Sequence, residues 1–428
     1  MIESVQHIDG SQSFHGAVNV PGDKSGSHRA LMLSALARGE SKIVGLSPGL
    51  DVACTSVIVE SLGAQREDDG DVVRILGPEN GLHATSKDLD CGNSGTTIRL
   101  MSGIVAGITG QHTLVGDASL SKRPMDRVAI PLEEMGAVVL GNGPTRTAPL
   151  RISGSEALRS VSYVVPKPSA QVKSAILFAA LHADGVSTVR EAVRTRSTTE
   201  DMMRQAGIAL SSENDGDGRI VSITPGRPCP ATWRVPGDPS QAAFFAVLGL
   251  IGRDADVTVS SIDDAPERIG FIHVLRRMGG QLELSPSDNS HRLRATTSAL
   301  IGVEIHSSEI PSVDEVPILT VAACAANGVS AFRDMGELRL KESDRFEGSM
   351  ALASLLGAKV WSEGDDFFVE GLGSATAFRE FQMSGGLDHR MVMSSAVAGA
   401  AGNGCTILEA ETVTSSYPHF FQDLASLR

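Results

Sequence analysis

The stretch ALASLLGAKVW, residues 351–361, decides how this chain is built. It reads as the end of a helix, then a glycine, then strand-like residues, and the same phrase recurs along the sequence. It returns as SVIVESLGAQ at 56–65, VAIPLEEMGAVVL at 128–140, MMRQAGIAL at 202–210 and HVLRRMGGQLEL at 273–284. The glycines are Gly63, Gly136, Gly207, Gly279 and Gly357, spaced roughly 70 residues apart, a longer period than that of common solenoids. A sixth helix, from Pro418 onward, falls in phase.

Midway between these phrases lies a second series of Ala-rich apolar segments: 27–39, 95–107, 170–185, 240–252, 314–328 and 388–404. Most end at Gly, the residue expected in left-handed conformation after a helix. Being apolar nearly all round, these helices should be deeply buried. Short β-branched runs at 111–115, 218–223 and 256–260 read as strands between them. The alternation makes this an α/β protein of six duplicated units. At 428 residues the chain exceeds what one core usually supports, so two domains of three units each are expected. The Pro- and Gly-rich crossings at 19–22 and 235–239 divide it into residues 21–237 and a discontinuous domain of 1–20 with 238–428.

Composition narrows the function. A net charge of −14 disfavours nucleic acid and anionic membrane as partners, and with aromatics at 4% base-stacking platforms are not expected. Five widely spaced cysteines, with no C-x-x-C pair, suggest neither a disulfide framework nor a structural metal. The N-terminal residues lack a signal-peptide pattern, and no apolar run approaches the ~20 residues of a membrane helix. A cytoplasmic enzyme, working as a monomer, fits these features.

The polar residues gather at one phase of the repeat, where the buried helices begin. They are Lys24, Ser25, Ser27 and Arg29, then 93–96, Ser169 with Gln171, Asp238 with Ser240 and Gln241, Asp314 with Glu315, and 388–390. The other helix series begins near Arg123, Arg196, Arg268 and the run 341–345. Acidic and hydroxyl residues there are partly ordinary caps. Lys and Arg oppose the helix dipole, so an anionic ligand is the better explanation for them. With the repeats aligned, these helix ends are expected to face a shared cleft for small, multiply charged anions. Lys173 is expected to point away from that site, and His389 to act as scaffold.

Eight segments carry a resemblance across the whole chain: PGDKSGSHRALMLSALARG (21–39), CGNSGTTIRL (91–100), SKRPM (121–125), SAQVKSAIL (169–177), VPGDPSQAAFF (235–245), DEVPIL (314–319), LRLKESDR (338–345) and LDHRM (387–391). They resemble the 5-enolpyruvylshikimate-3-phosphate synthase family. The resemblance implies a two-domain inside-out α/β barrel of six βαβαββ units, with helices inside and sheets outside. It implies transfer of the enolpyruvyl group of phosphoenolpyruvate to the 5-hydroxyl of shikimate 3-phosphate, through a tetrahedral intermediate, with loss of phosphate and no cofactor or metal. Lys24, Ser25, Arg29, Ser169, Gln171, Arg196, Asp314 and Lys341 match the shikimate 3-phosphate site. Lys24, Gly95, Arg123, Gln171, Arg345 and Arg390 match the phosphoenolpyruvate site, and Asp314, Glu342 and Lys24 are the acid–base candidates.

Three places depart from the family pattern. TSSYP (414–418) has Ser415 near a position where some members carry Lys, RTRSTTE (194–200) replaces a segment with Asp-His, and Leu387 stands where small or polar residues are commoner. The rival readings are the sister family acting on UDP-N-acetylglucosamine and a non-catalytic anion-binding protein on the same scaffold. Ser25 after Lys24 and a Cys-free loop at 116–124 speak against the first; the pair Asp314 and Glu342 speaks against the second.

Overall fold

The computed structural model describes residues 4–10, 13–287, 290–310 and 313–428. It divides into two compact units, Met1–Asp23 with Pro236–Arg428, and Lys24–Val235. They are called here the discontinuous and the continuous unit. Each has its own core of buried aliphatic and aromatic side chains.

Two helix series alternate along the chain. The first comprises α1 (Lys24–Leu36), α3 (Gly95–Ala106), α5 (Ala170–Ala180), α7 (Pro239–Ile251), α9 (Val316–Ala325) and α11 (His389–Ala401). Every residue of α7, α9 and α11 is buried, as the lack of any polar stripe in their sequences requires. The second comprises α2 (Leu50–Ser61), α4 (Asp126–Glu134), α6 (Thr198–Gln205), α8 (Gly270–Arg277), α10 (Arg345–Leu356) and α12 (Phe420–Ser426), each buried on part of its surface. No helix among the described residues is long and apolar enough to cross a membrane.

The glycines of the repeated phrase have a physical cause. Gly63, Gly136, Gly207, Gly279 and Gly357 all have φ between +80° and +111°, a region that L side chains rarely adopt. Each ends a helix of the second series and turns the chain into the next strand. After the buried helices the expectation is met only in part. Gly107, Gly252 and Gly402 cap α3, α7 and α11 with negative φ, and the left-handed turn comes later at Gly110 and Gly404.

The described strands form six small sheets, five of four strands and one of three. A four-stranded sheet joins a parallel pair to an antiparallel hairpin, as in Glu304–His306, Val329–Arg333, Asp366–Glu370 and Lys359–Glu363. Each unit is closed by a strand from far along the chain. Thr232–Arg234 lies parallel to Gly39–Val44 in the continuous unit, and Trp233 is anchored there by an Nε1–H bond to Ser34 Oγ (2.9 Å). In the discontinuous unit Ser13–Asn19 lies parallel to Asp254–Ile262, and Val5–Ile8 lies antiparallel to Cys405–Leu408.

Pro21, Gly22 and Asp23, with Pro236 and Gly237, go with the discontinuous unit rather than with the residues 21–237 read from the sequence. Gly22 bridges Gly237, Asp23 N donates to Pro236 O (2.7 Å), and Asp238 N donates to Pro21 O (2.9 Å). Buried Arg268 locks both crossings, pairing with Asp23 (2.6 Å) and Asp238 (2.7 Å). Arg268 is thus committed to two carboxylates of the fold.

Candidate active site

In the continuous unit, Lys24 is the first residue of α1, and its Nζ donates to Asp51 Oδ2 of α2 at 3.0 Å, with both side chains largely buried. Asp51 carried no signal of its own in the sequence. Arg29, one turn further, is buried and spreads its guanidinium over neutral acceptors: Thr199 Oγ1 (2.5 Å), Ser174 Oγ (2.9 Å) and the Ser25 carbonyl (2.9 Å). Arg196 Nη1 reaches Ser25 Oγ at 3.5 Å. Four of the expected residues, Lys24, Ser25, Arg29 and Arg196, therefore gather at the start of α1.

A second group forms where α3 and α5 begin. Ser94 caps α3 by accepting from Thr97 N, and Ser169 caps α5 by accepting from Val172 N. Gln171 bridges the two helices, accepting from Arg99 Nη1 (2.6 Å) and donating to Thr96 Oγ1 (3.0 Å). Arg123 Nη2 donates to Asn93 Oδ1 (2.9 Å), and Asn93 Nδ2 donates to Asp117 Oδ2 (2.7 Å). Gly95 sits between two guanidinium groups: a Cβ there would lie 2.9 Å from Arg123 Nη1 and 3.0 Å from Arg99 Nη1. Arg99 joins this group without having been singled out from the sequence, because an Arg within a helix looks like an ordinary surface residue until packing buries it.

His28, buried between Lys24 and Arg29 in sequence, has its pKa driven well below the ordinary value, first by burial and then by those two cations. Its Nδ1 is 2.7 Å from Thr55 Oγ1, which continues through Thr97 Oγ1 (2.8 Å) to Ser94 Oγ (2.7 Å). This hydroxyl chain ties α1, α2 and α3 together beneath the cations.

In the discontinuous unit the residues converge on one guanidinium. Arg345, 1% exposed, donates through Nε and Nη2 to Asp388 (2.7 and 3.2 Å), through Nη1 to Asp314 (3.0 Å), and through Nη2 to Glu342 (2.6 Å). Burial opposes its charge, yet Asp388, Glu342 and Asp314 outweigh that effect and raise its pKa. Asp388 also caps α11 through Arg390 N and accepts from Ser343 Oγ (2.9 Å). Asp314 is not a helix cap; Glu315 holds the N-cap position of α9 without a side-chain capping bond, its carboxylate accepting instead from Ser240 Oγ. Asp314 instead faces Arg345 and, at 3.6 Å, Arg390 Nη2. Among the described residues Arg390 Nη1 is buried with no hydrogen-bond partner, a donor suited to an anionic ligand. Lys341 has its pKa lowered by burial, against the opposing pull of Asp314 and Glu337.

Ser415, at a departure from the family pattern, has a use. Its hydroxyl donates to Thr412 O (2.8 Å) and so accepts from His389 Nδ1 (3.0 Å), fixing the imidazole at the start of α11. Lys173 turns inward, between Glu191 and Glu200.

Known proteins resemble this chain along nearly its whole length. Residues 8–424 match the family model of EPSP synthase (3-phosphoshikimate 1-carboxyvinyltransferase). The chain is 40% identical over 425 residues to the 3-phosphoshikimate 1-carboxyvinyltransferases of Streptococcus thermophilus and Lactococcus lactis, covering 97% of this chain and 98% of theirs. Its structure resembles the EPSP synthase of Acinetobacter baumannii with TM-score 0.85 and 34% identity, over 99% of this chain and 98% of that one. The enolpyruvyl transferase NikO of Streptomyces tendae shares the fold at TM-score 0.78 and 16% identity, over 99% of this chain and 97% of that one.

Proposed function

Because the chain belongs to the EPSP synthase family, it transfers the enolpyruvyl group of phosphoenolpyruvate to shikimate 3-phosphate, and we propose that the proton transfers of that reaction fall to Asp314 and Glu342. The observation that carries this assignment is Arg345, whose one guanidinium holds both carboxylates. Four of its five N–H donors go to Asp388, Asp314 and Glu342. Arg345 therefore orients the acid–base pair before it does anything to a substrate. Two carboxylates sharing one cation are coupled, so a proton gained by either is felt by the other.

In this reading Asp314 takes the proton of the 5-hydroxyl as its oxygen bonds to C2 of the enol phosphate, while Glu342 delivers a proton to C3. The tetrahedral intermediate then expels phosphate as C3 returns its proton and the enol double bond re-forms. Lys24, Arg123 and Arg390 stabilise charge on the carboxylate and phosphate groups. Ser25, Arg29, Ser169, Gln171 and Arg196 hold the shikimate phosphate and ring, and Lys341 pairs with Asp314 on the hydroxyls.

The test is phosphate release from phosphoenolpyruvate, with shikimate 3-phosphate and UDP-N-acetylglucosamine as rival acceptors. Release with the first alone is expected. Release only with the sugar nucleotide, or with neither, would defeat the assignment. Asp314→Asn should abolish release while shikimate 3-phosphate still binds.

A further inference from the structure

The buried charges around Lys173 have no part in the chemistry, yet they adjoin residues of the continuous unit that the proposal gives to shikimate 3-phosphate. The Lys173, Glu191 and Glu200 side chains are all fully buried, with Nζ 2.8 Å from Glu191 Oε2 and 2.7 Å from Glu200 Oε1. Those carboxylates stand at the two ends of one short strap. Glu191 closes the strand Ser187–Glu191, Glu200 lies in the first turn of α6, and residues 192–197 run between them. The strap is tied twice more: the Thr195 hydroxyl donates to Glu191 Oε1, and Arg219 Nη2 donates to the Thr195 carbonyl at 2.8 Å. The next residue is Arg196, which reaches Ser25.

Lys173 itself belongs to α5, whose first turn presents Ser169 and Gln171. Its neighbour Ser174 bonds Thr199 Oγ1 at 2.6 Å and accepts from Arg29. One ammonium thus joins the helix carrying two binding residues to the strap carrying a third. A buried ion cluster is weak as a source of stability, since well-packed apolar residues often serve as well. Its use here is geometric, because charges that must stay paired allow the strap only one register.

We propose that Lys173 is a positioning residue for the phosphate-bearing substrate: held between Glu191 and Glu200, it fixes strap 192–197 so that Arg196 is presented beside Ser25. The inference rests on the shikimate 3-phosphate reading above, and the experiment separates the two. Calorimetric titration of shikimate 3-phosphate is run on wild type, Lys173→Met and Thr195→Val, with a thermal melt of each and KM for both substrates. Wild type that fails to bind shikimate 3-phosphate overturns the functional reading, and this inference with it. With wild type binding, Lys173→Met should weaken shikimate 3-phosphate by about tenfold, the scale of a displaced charged hydrogen bond, with a much smaller change in KM for phosphoenolpyruvate. Thr195→Val leaves every charge paired and remains the decisive variant if Lys173→Met does not fold. It should weaken the same substrate by about threefold. Lower melting temperatures with unchanged shikimate 3-phosphate affinity, or equal losses for both substrates, overturn the inference.

Discussion

Two buried arginines show how differently the two units use charge. Arg29 of the continuous unit donates to two hydroxyls and a carbonyl, whereas Arg345 of the discontinuous unit donates to three carboxylates. Hydroxyl and carbonyl acceptors orient a guanidinium, and carboxylates also pair with its charge. Burial, and after it Lys24 and Arg29, depresses the pKa of His28, whereas Asp388, Glu342 and Asp314 overcome burial and raise that of Arg345. In the proposed reaction the carboxylates Asp314 and Glu342 of the discontinuous unit move the protons, while candidate anion-binding cations stand in both units. Both begin from the same duplicated helix–glycine–strand module.

Breaking the proton side should cost most. Glu342→Gln keeps the side chain's size and its bond to Arg345 but cannot deliver a proton, so kcat should fall by about 10²–10⁴. Titration of shikimate 3-phosphate should change little; equal losses in binding and turnover would mean that Glu342 holds the fold rather than the proton. On the anion side, Arg123→Ala should weaken phosphoenolpyruvate by about 1.5–3 kcal/mol, the worth of a charged hydrogen bond. A loss confined to shikimate 3-phosphate would move Arg123 to the other subsite.

Gly95→Ala sharpens the comparison more gently. The added methyl presses on Arg123 and Arg99, with an overpacking cost of about 1 kcal/mol or more. KM for phosphoenolpyruvate should therefore rise more than KM for shikimate 3-phosphate, and equal rises would mean that the two arginines move aside freely. The smallest effect concerns pH. His28 is depressed in the folded state, so on acidification below about 6.5 the unfolded chain takes up a proton before the folded one does. Stability should fall as pH drops through that window, and Thr55 and the adjacent cations give the neutral ring its setting. His28→Asn should flatten the acid limb of a melting series between about pH 7 and 5. An unchanged limb would assign it to carboxylates elsewhere.

The repeat was legible in the sequence because its cause is local. A positive φ at each of five glycines, and a buried helix without a polar face, are set within a few residues of chain. The caps Ser94, Ser169, Asp238 and Asp388 were legible for the same reason. Most charged candidates could be nominated as well, since Lys and Arg at a helix start oppose the dipole and stand out, whereas Asp51 and Arg99 gave no such signal. The position of the crossings was legible only approximately. Proline and glycine mark a break, but Arg268 decides which side Asp23 joins.

By itself, then, the sequence determined the six modules and the family, and it nominated the anion-binding and acid–base residues. Only the tertiary structure decided their partners: Asp51 beneath Lys24, Arg345 among three carboxylates, Ser415 on His389, and Lys173 between Glu191 and Glu200. The physical reason is that a cap or a glycine turn answers to its immediate neighbours in the chain. A buried charge answers instead to whichever opposite charge packing brings within hydrogen-bond reach, often tens of residues away.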